Sequence, residues 1–375
     1  MRSTLFPLGH PVPEEDLVGR LSFVDALVSR LEEGSSTMLA GPRRIGKTSL
    51  AKEALRRLKE KGHYTVWIDC FAIRDKEHLT EKIMEACLAN RTGMPKTLAA
   101  VRERIRQLGP IPVSLKLQDF EMDISLFANR KATPDELLDQ ALEFPQKLAE
   151  RDNRRIIIAF DEFQDVPIVA ENTIFKRMRA AFQEQSRATF LFLGSKESMM
   201  QTLFSSSREA FYRFAVPLPV PSVPSDSWIQ YIQQKFASRK VHIDTSIARE
   251  LVELTGGHPY DTMLLCNEAY QLVAVDRRDV VTLPVLQQAY DQAQTILEPA
   301  FTEILGGLGR SALMRDVLCK LATDQQPYKS KQHSNAVARS ISKLEEKGII
   351  EKVTRGQYRF TESMFKDFII RLFAC

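Results

Sequence analysis

One eight-residue stretch, Gly41-Pro42-Arg43-Arg44-Ile45-Gly46-Lys47-Thr48, constrains this chain more than any other. It has the G-x-x-x-x-G-K-[ST] spacing of a phosphate-binding loop. The motif needs a strand before it and a helix after it, and both are present. Residues 36–40, STMLA, can end a strand, and residues 49–62, SLAKEALRRLKEKG, read as a helix. Gly41 and Gly46 let the backbone fold closely around an anion, with successive N–H groups and the positive helix end facing phosphate oxygens. Lys47 can reach the β- and γ-phosphates of a nucleotide, and Thr48 offers its hydroxyl to Mg²⁺.

A second stretch gives the phosphate a chemistry. In RRIIIAFDEFQD, residues 154–165, the apolar run Ile156 to Phe160 predicts a central strand that ends in Asp161-Glu162. A buried strand that ends in paired carboxylates needs a reason, because unpaired buried charge is costly. A Mg-nucleotide supplies one, with Asp161 holding Mg²⁺ and Glu162 polarising the attacking water. A solvated acidic turn would give the same few letters; the loop about 110 residues earlier favours the site. A further strand, Ala188 to Leu193, ends at Gly194-Ser195-Lys196. Ligands sit at the carboxyl ends of such strands, so Ser195 is expected to bond the γ-phosphate or the water, unless it is a plain turn residue. Arg208 and Arg213 follow; either could reach a phosphate in its own subunit or a neighbour's, and pairing with an acid on the surface is the favoured reading for each.

With 375 residues, more than one core is expected. Residues 1–220 read as an α/β phosphate-binding domain built on a parallel sheet. It starts with a Pro-containing leader and an amphipathic helix after Gly19-Arg20, a pair that by itself could be only a helix entry. The alternation in residues 113–127 predicts a β-hairpin inserted between sheet elements. A strand over residues 214–218 runs into PVPSVPSD, a junction. Residues 221–305 read as helices punctuated by Gly256-Gly257-His258-Pro259, where the glycines can end one helix and Pro259 begin the next. The six His and five Cys are scattered, with no zinc spacing. With no hydrophobic leader and no apolar run of about 18 residues, a cytoplasmic chain is the expectation.

Residues 306–375 read as helix, helix, hairpin and helix, the order of a winged helix. The recognition helix would be Ser334 to Lys347, turning Arg339, Ser340 and Lys343 outward, with Arg355 on the wing. From Arg310 onward there are 13 Lys and Arg against 7 Asp and Glu, a net +6 in a chain whose total is +4. Double-stranded DNA is therefore a candidate partner for residues 334–347 and 355–359, and a solvated basic face accounts for the same count.

Together these motifs resemble, over nearly the whole chain, the prokaryotic "archaeal-type" P-loop ATPases of the STAND branch of AAA+ proteins. The residues that carry the likeness are Leu17-Val18-Gly19-Arg20, GPRRIGKTSL, FDEFQ, Gly194-Ser195 and GGHPYDTMLLC. The resemblance implies an AAA+-like ATPase domain, an all-helical lid and a winged helix, binding ATP or ADP with Mg²⁺. It implies that Gly19-Arg20 lies near base and ribose, Gly41 to Ser49 is the Walker A loop, and Asp161-Glu162 is the Walker B pair. Ser195 takes the sensor position, and His258-Pro259 the lid motif in which Pro packs near adenine. The chain lacks the usual arginine at the start of a lid helix and shows no arginine finger. Both departures favour a slow nucleotide-gated switch over a ring motor. The rival readings are an ATP-gated protein adaptor and a DNA-binding regulator with nucleotide as a structural ligand.

Overall fold

The computed structural model describes residues 4–91, 133–167, 173–309, 311–327, 334–354 and 356–375. The hairpin expected at 113–127 and the wing residue Arg355 lie outside them. Five strands form one parallel sheet: β1 (Thr37–Ala40), β2 (Tyr64–Asp69), β3 (Ile156–Asp161), β4 (Ala188–Leu193) and β5 (Val216–Pro219). Their order is β2-β3-β4-β1-β5. All four strand pairs are parallel, with Asp69 level with Asp161 and Met38 level with Phe192.

Period-two alternation sorts the strand side chains between two buried faces, which is why β3 is apolar without a break. Ile157 and Ala159 of β3 pack with α1 (Leu21–Glu32) and α2 (Lys47–Glu60). Ile156, Ile158 and Phe160 face the other way, towards α3 (Lys76–Leu88), α4 (Pro134–Arg151) and α5 (Ile174–Gln183). That face is dominated by phenylalanine, and Phe163 has ring centroids within 5.1 Å of both Phe192 and Phe211. The last strand begins at Val216 rather than 214, because Phe214 is drawn into the same cluster, 5.4 Å from Phe211. Pro217 and Pro219 withhold donors along this edge strand and so blunt it against further pairing.

After β4 come α6 (Glu197–Ser205) and then the largely helical remainder of the chain: α7 (Ser225–Ser238), α8 (Thr245–Thr255), α9 (Pro259–Val275) and α10 (Leu283–Leu308). Two-residue strands β6 (His242–Ile243) and β7 (Val280–Val281) pair beside them. The Gly-Gly pair ends α8 as expected, with φ of 60° at Gly256 and 67° at Gly257, and Pro259 opens α9. Then follow α11 (Ala312–Ala322), α12 (Ser334–Glu346), the antiparallel hairpin β8 (Ile350–Thr354) and β9 (Gln357–Phe360), and α13 (Ser363–Phe373).

One apolar core serves everything after the sheet. It runs from Phe6 of the leader through Trp228, Leu265 and Phe301 to Val317, Leu344 and Ile369. The 26-residue α10 spans the expected boundary at 305, and its Phe301 ring lies 5.1 Å from Phe365 and 5.4 Å from Phe368. This packing corrects the outward face predicted for α12. Arg339 is exposed, but Ser340 is buried and Lys343 donates to the Leu308 carbonyl at 2.7 Å, capping the end of α10. The far end of α12 touches the sheet unit, where Ser198 Oγ donates to the Glu346 carbonyl at 3.0 Å. Among the described residues, no helix is long and apolar enough to cross a membrane.

Candidate functional site

At the carboxyl ends of β1, β3 and β4 lies a cavity of about 490 Å³, a volume suited to a nucleotide-sized ligand. The loop between β1 and α2 forms its floor. Gly46 adopts φ of 98° at the helix entry and Arg44 adopts φ of 61°, so the backbone turns in the left-handed region twice within three residues. Lys47 is buried, and its ammonium donates at 2.7 Å to the carbonyls of Gly41 and Pro42, which fixes the amine under the loop. Thr48 lies one residue further along α2, and its hydroxyl donates to Asp161 Oδ2 at 3.2 Å. The loop and the end of β3, 113 residues apart, thus meet where a phosphate and its counter-ion would sit.

The two carboxylates are shifted in opposite directions. Burial, then the neighbouring Glu162 charge, pushes Asp161 up to about 6, partly offset by the bond from Thr48. Glu162 is also partly buried, which by itself would raise it. Hydrogen bonds from Gln164 and Ser195 outweigh burial and leave it below the usual carboxylate range. All three donors converge on Oε2: Gln164 Nε2 at 2.6 Å, the Ser195 N–H at 3.0 Å and Ser195 Oγ at 2.7 Å. Glu162 has φ of 50° and ψ of 43°, and this left-handed backbone turns its side chain off the strand direction towards Ser195. Gly194 permits the clamp, because a Cβ there would lie 2.2 Å from Gln164 Oε1. Ser195 therefore orients Glu162 in this conformation. Gln164, which sequence reading left without a role, shares that task.

The raised Asp161 has a consequence for stability. Its folded pKa lies above the unfolded value near 4, so its contribution is fully favourable below pH 4 and is lost as pH rises through about 6. Asp161→Asn is accordingly expected to stabilise the ligand-free protein at pH 7.5, by about 2 kcal/mol, and much less at pH 4.5. Thermal midpoints at both pH values check this; equal shifts at the two would refute it. The donor set also fits a divalent cation. One hydroxyl and one carboxylate, with phosphate oxygens to complete the shell, are the hard ligands Mg²⁺ prefers. Among the described residues, no group of three or more His, Cys, Asp or Glu could hold a metal.

Arg20 is buried against the loop, donating to the Ile45 carbonyl, and a Cβ on Gly46 would lie 2.9 Å from its Nη2. Its Nε is buried without a hydrogen-bond partner, and burial lowers its pKa to about 10. The guanidinium thus stands at the phosphate floor. Gly19, at φ of 63°, lets the chain pass α7, where a Cβ would lie 2.7 Å from Ser227 Oγ. Ser49 Oγ receives the N–H of Val12 at 3.2 Å and so ties the leader to α2.

The opposite end of the cavity is made by the leader, α7 and the start of α9. Leu8, Pro11 and Val12 of the leader face Trp228, Pro259, Tyr260 and Met263. Asp16 locks the leader onto α7, accepting at Oδ1 from Tyr231 Oη and Lys235 Nζ, both at 2.6 Å. Arg44 closes across this end, its guanidinium 4.6 Å from the centre of the Tyr260 ring. His258 is buried behind the wall: Nε2 lies 3.4 Å from the Arg43 carbonyl and Nδ1 3.4 Å from Asp261 Oδ2. Burial would lower this imidazole, but Asp261 more than compensates and raises it.

A family described as an ATPase domain predominantly from Archaea matches residues 18–264, which contain the whole of this site except the leader. Solved structures share the fold at low identity. A Walker-type ATPase of Pyrococcus abyssi aligns with a TM-score of 0.67 at 18% identity, covering 97% of this chain and 99% of that one. The ORC2 protein of Aeropyrum pernix, in ADPNP–ADP complexes, aligns at 0.60 and 14%, covering 100% and 99%. The ORC1 protein of the same organism, in complex with DNA, aligns at 0.52 and 15%, covering 99% and 96%. No curated protein matches the sequence.

Proposed function

The chain belongs to the ATPase family whose domains come predominantly from Archaea, and on that premise we propose that it is a slow, Mg²⁺-dependent ATPase acting as a nucleotide-gated switch. The observation that carries this reading is the convergence of Lys47, Thr48, Asp161 and Glu162 on one cavity. In the proposed reaction the triphosphate binds the loop N–H groups and takes the Lys47 ammonium from its present carbonyl partners. Charge developing on the phosphoryl oxygens is stabilised there. Thr48 and Asp161 would hold Mg²⁺, which neutralises phosphate charge when bound. Glu162, kept ionised and fixed through Oε2, presents its other oxygen to a water. Arg20 supplies positive charge beneath the loop from within the same chain.

The grouping of residues 1–220, 221–305 and 306–375 into ATPase, lid and winged-helix units is part of this proposal, as is membership of the STAND branch. Slowness follows from the missing arginine at the start of α9, where His258, Pro259 and Tyr260 stand instead. The test is direct: ADP and ATP binding, and phosphate release, by the full chain with and without Mg²⁺. Binding with phosphate release below about one per minute supports the switch. Failure to bind either nucleotide rejects the site.

Coupling to double-stranded DNA through residues 334–347 and 355–359 is the second reading. The net +6 from Arg310 onward and the exposed Arg339 and Lys352 favour it. The internal bonds of Lys343 and the burial of Ser340 leave α12 a narrower basic face than its sequence suggests. Duplex affinity of the full chain that falls steeply with salt would support it. A protein retained only with ATP would favour the adaptor instead.

A further inference from the structure

The start of α9 grips the phosphate-binding loop at two adjacent residues. His258, the N-cap of α9, has Nε2 3.4 Å from the Arg43 carbonyl. Tyr260, two residues on, has its ring centre 4.6 Å from the Arg44 guanidinium. Arg44 has φ of 61°, a left-handed backbone that a residue other than glycine keeps only where its surroundings hold it. A trans peptide sets the carbonyl of one residue and the N–H of the next on opposite sides. The Arg43 carbonyl, turned to α9, therefore sends the Arg44 N–H the other way. Among the described residues that N–H has no hydrogen-bond acceptor. The next peptide but one repeats the arrangement: Arg20 Nη1 donates to the Ile45 carbonyl at 2.5 Å, and the Gly46 N–H is likewise without an acceptor. Backbone N–H groups left in this way by a tight turn make an anion-binding concavity.

A carbonyl oxygen only accepts, so His258 Nε2 carries a proton in this contact. Nδ1 faces a second acceptor, Asp261 Oδ2, also at 3.4 Å. An imidazole with an oxygen before each nitrogen is matched only as an imidazolium. Asp261 is fully buried with neither oxygen in a hydrogen bond, and the imidazolium is the charge beside it that offsets this cost. Neither side chain lines the cavity. We propose that His258, held as an imidazolium by Asp261, is a positioning residue of the phosphate loop, donating to the Arg43 carbonyl and so aiming the Arg44 N–H at a nucleotide phosphate. This inference rests on the nucleotide reading of the site and adds what shapes its loop. When the ring loses a proton, the one that remains belongs at Nδ1, against the carboxylate. The Nε2 lone pair then meets the Arg43 carbonyl oxygen and repels it, which releases the peptide. His258 lies above the usual range, so the aim is kept at neutral pH and lost as pH rises through that raised value. The charged groups around the ring are Asp261 on α9, Glu362 before α13, which also favours the cation, and Arg43 and Arg44 on the loop. The contacts from α7 and α8, Trp228 to the Gly257 carbonyl and the Thr255 carbonyl to the His258 N–H, bring no charge.

The test is equilibrium titration of the full chain with ADP between pH 7 and pH 9, comparing wild type with His258→Asn. The shorter amide can stand where Nδ1 does but does not reach the Arg43 carbonyl. Comparison at equal pH cancels the ionisation of ADP and of every group the two proteins share. Wild type is expected to bind ADP at least about tenfold more tightly at pH 7, the scale of one hydrogen bond to a charged group, with the ratio closing towards one by pH 9. Asp261→Asn removes the charge that sustains the cation. It is expected to bind ADP at pH 7 as weakly as His258→Asn, although residue 261 lies outside the cavity. A ratio that stays constant with pH marks a purely structural role and overturns the proposal, as does an Asp261→Asn protein that binds like wild type. If the variants do not fold, wild type decides alone. Its ADP affinity falls over this range under the proposal, although deprotonation of ADP acts in the opposite direction, and affinity that holds level or rises overturns it. Wild type that binds ADP at no pH overturns the reading of the site itself, and this inference with it.

Discussion

Glu162→Gln retains ATP and ADP binding and lowers phosphate release by roughly 10²- to 10⁴-fold, the range for loss of a positioned general base. The size of the effect follows from how Glu162 is held. Three donors fix Oε2, and the left-handed backbone at φ of 50° aims the side chain across the cavity towards Ser195. An amide keeps an acceptor for Ser195 and almost the same volume, so folding and binding are spared. It cannot orient and polarise a water as a carboxylate does. Single-turnover phosphate release with saturating ATP checks this against a nucleotide titration of the same variant. Release within twofold of wild type would remove Glu162 from the chemistry and leave Asp161 as the carboxylate to examine.

Lys47→Ala loses nucleotide affinity by two orders of magnitude or more, about 3 kcal/mol, the scale of two charge-assisted hydrogen bonds to phosphate. The Lys47 ammonium donates to the loop carbonyls of Gly41 and Pro42, which helps to place it at the loop floor. Its removal frees those carbonyls, so part of any change falls on the loop itself. The thermal midpoint without nucleotide measures that part, and Lys47→Met, which retains the side-chain length, reduces it. Affinity within threefold of wild type in both variants would detach the loop from the ligand.

What could be read from the residues alone follows from how local the physics is. The loop and the DE pair were legible because each declares itself within a few residues: glycines where the backbone must turn, an apolar run where a strand is buried, acids where it emerges. Their meeting across 113 residues then follows from parallel topology. The leader was not legible as a cavity wall. Leu8 to Val12 have no periodicity, and tertiary bonds hold the segment: Asp16 to Tyr231 and Lys235, and the Phe6 carbonyl to Asn267. The face of α12 misled for a related reason. Arg339, Ser340 and Lys343 lie on a helix that packs on more than one side, so a polar residue such as Ser340 is enclosed and Lys343 serves as a cap. Gln164 could have been suspected on spacing alone, since it lies two residues beyond Glu162 and within side-chain reach of that carboxylate.

The apolar core that continues from Phe6 to Ile369 without a break has a mechanical consequence. Helices that share side chains in this way resist moving separately, because shifting one opens voids along its neighbours. A rearrangement around Tyr260 would therefore meet the resistance of the whole core out to α13, and not of α9 alone.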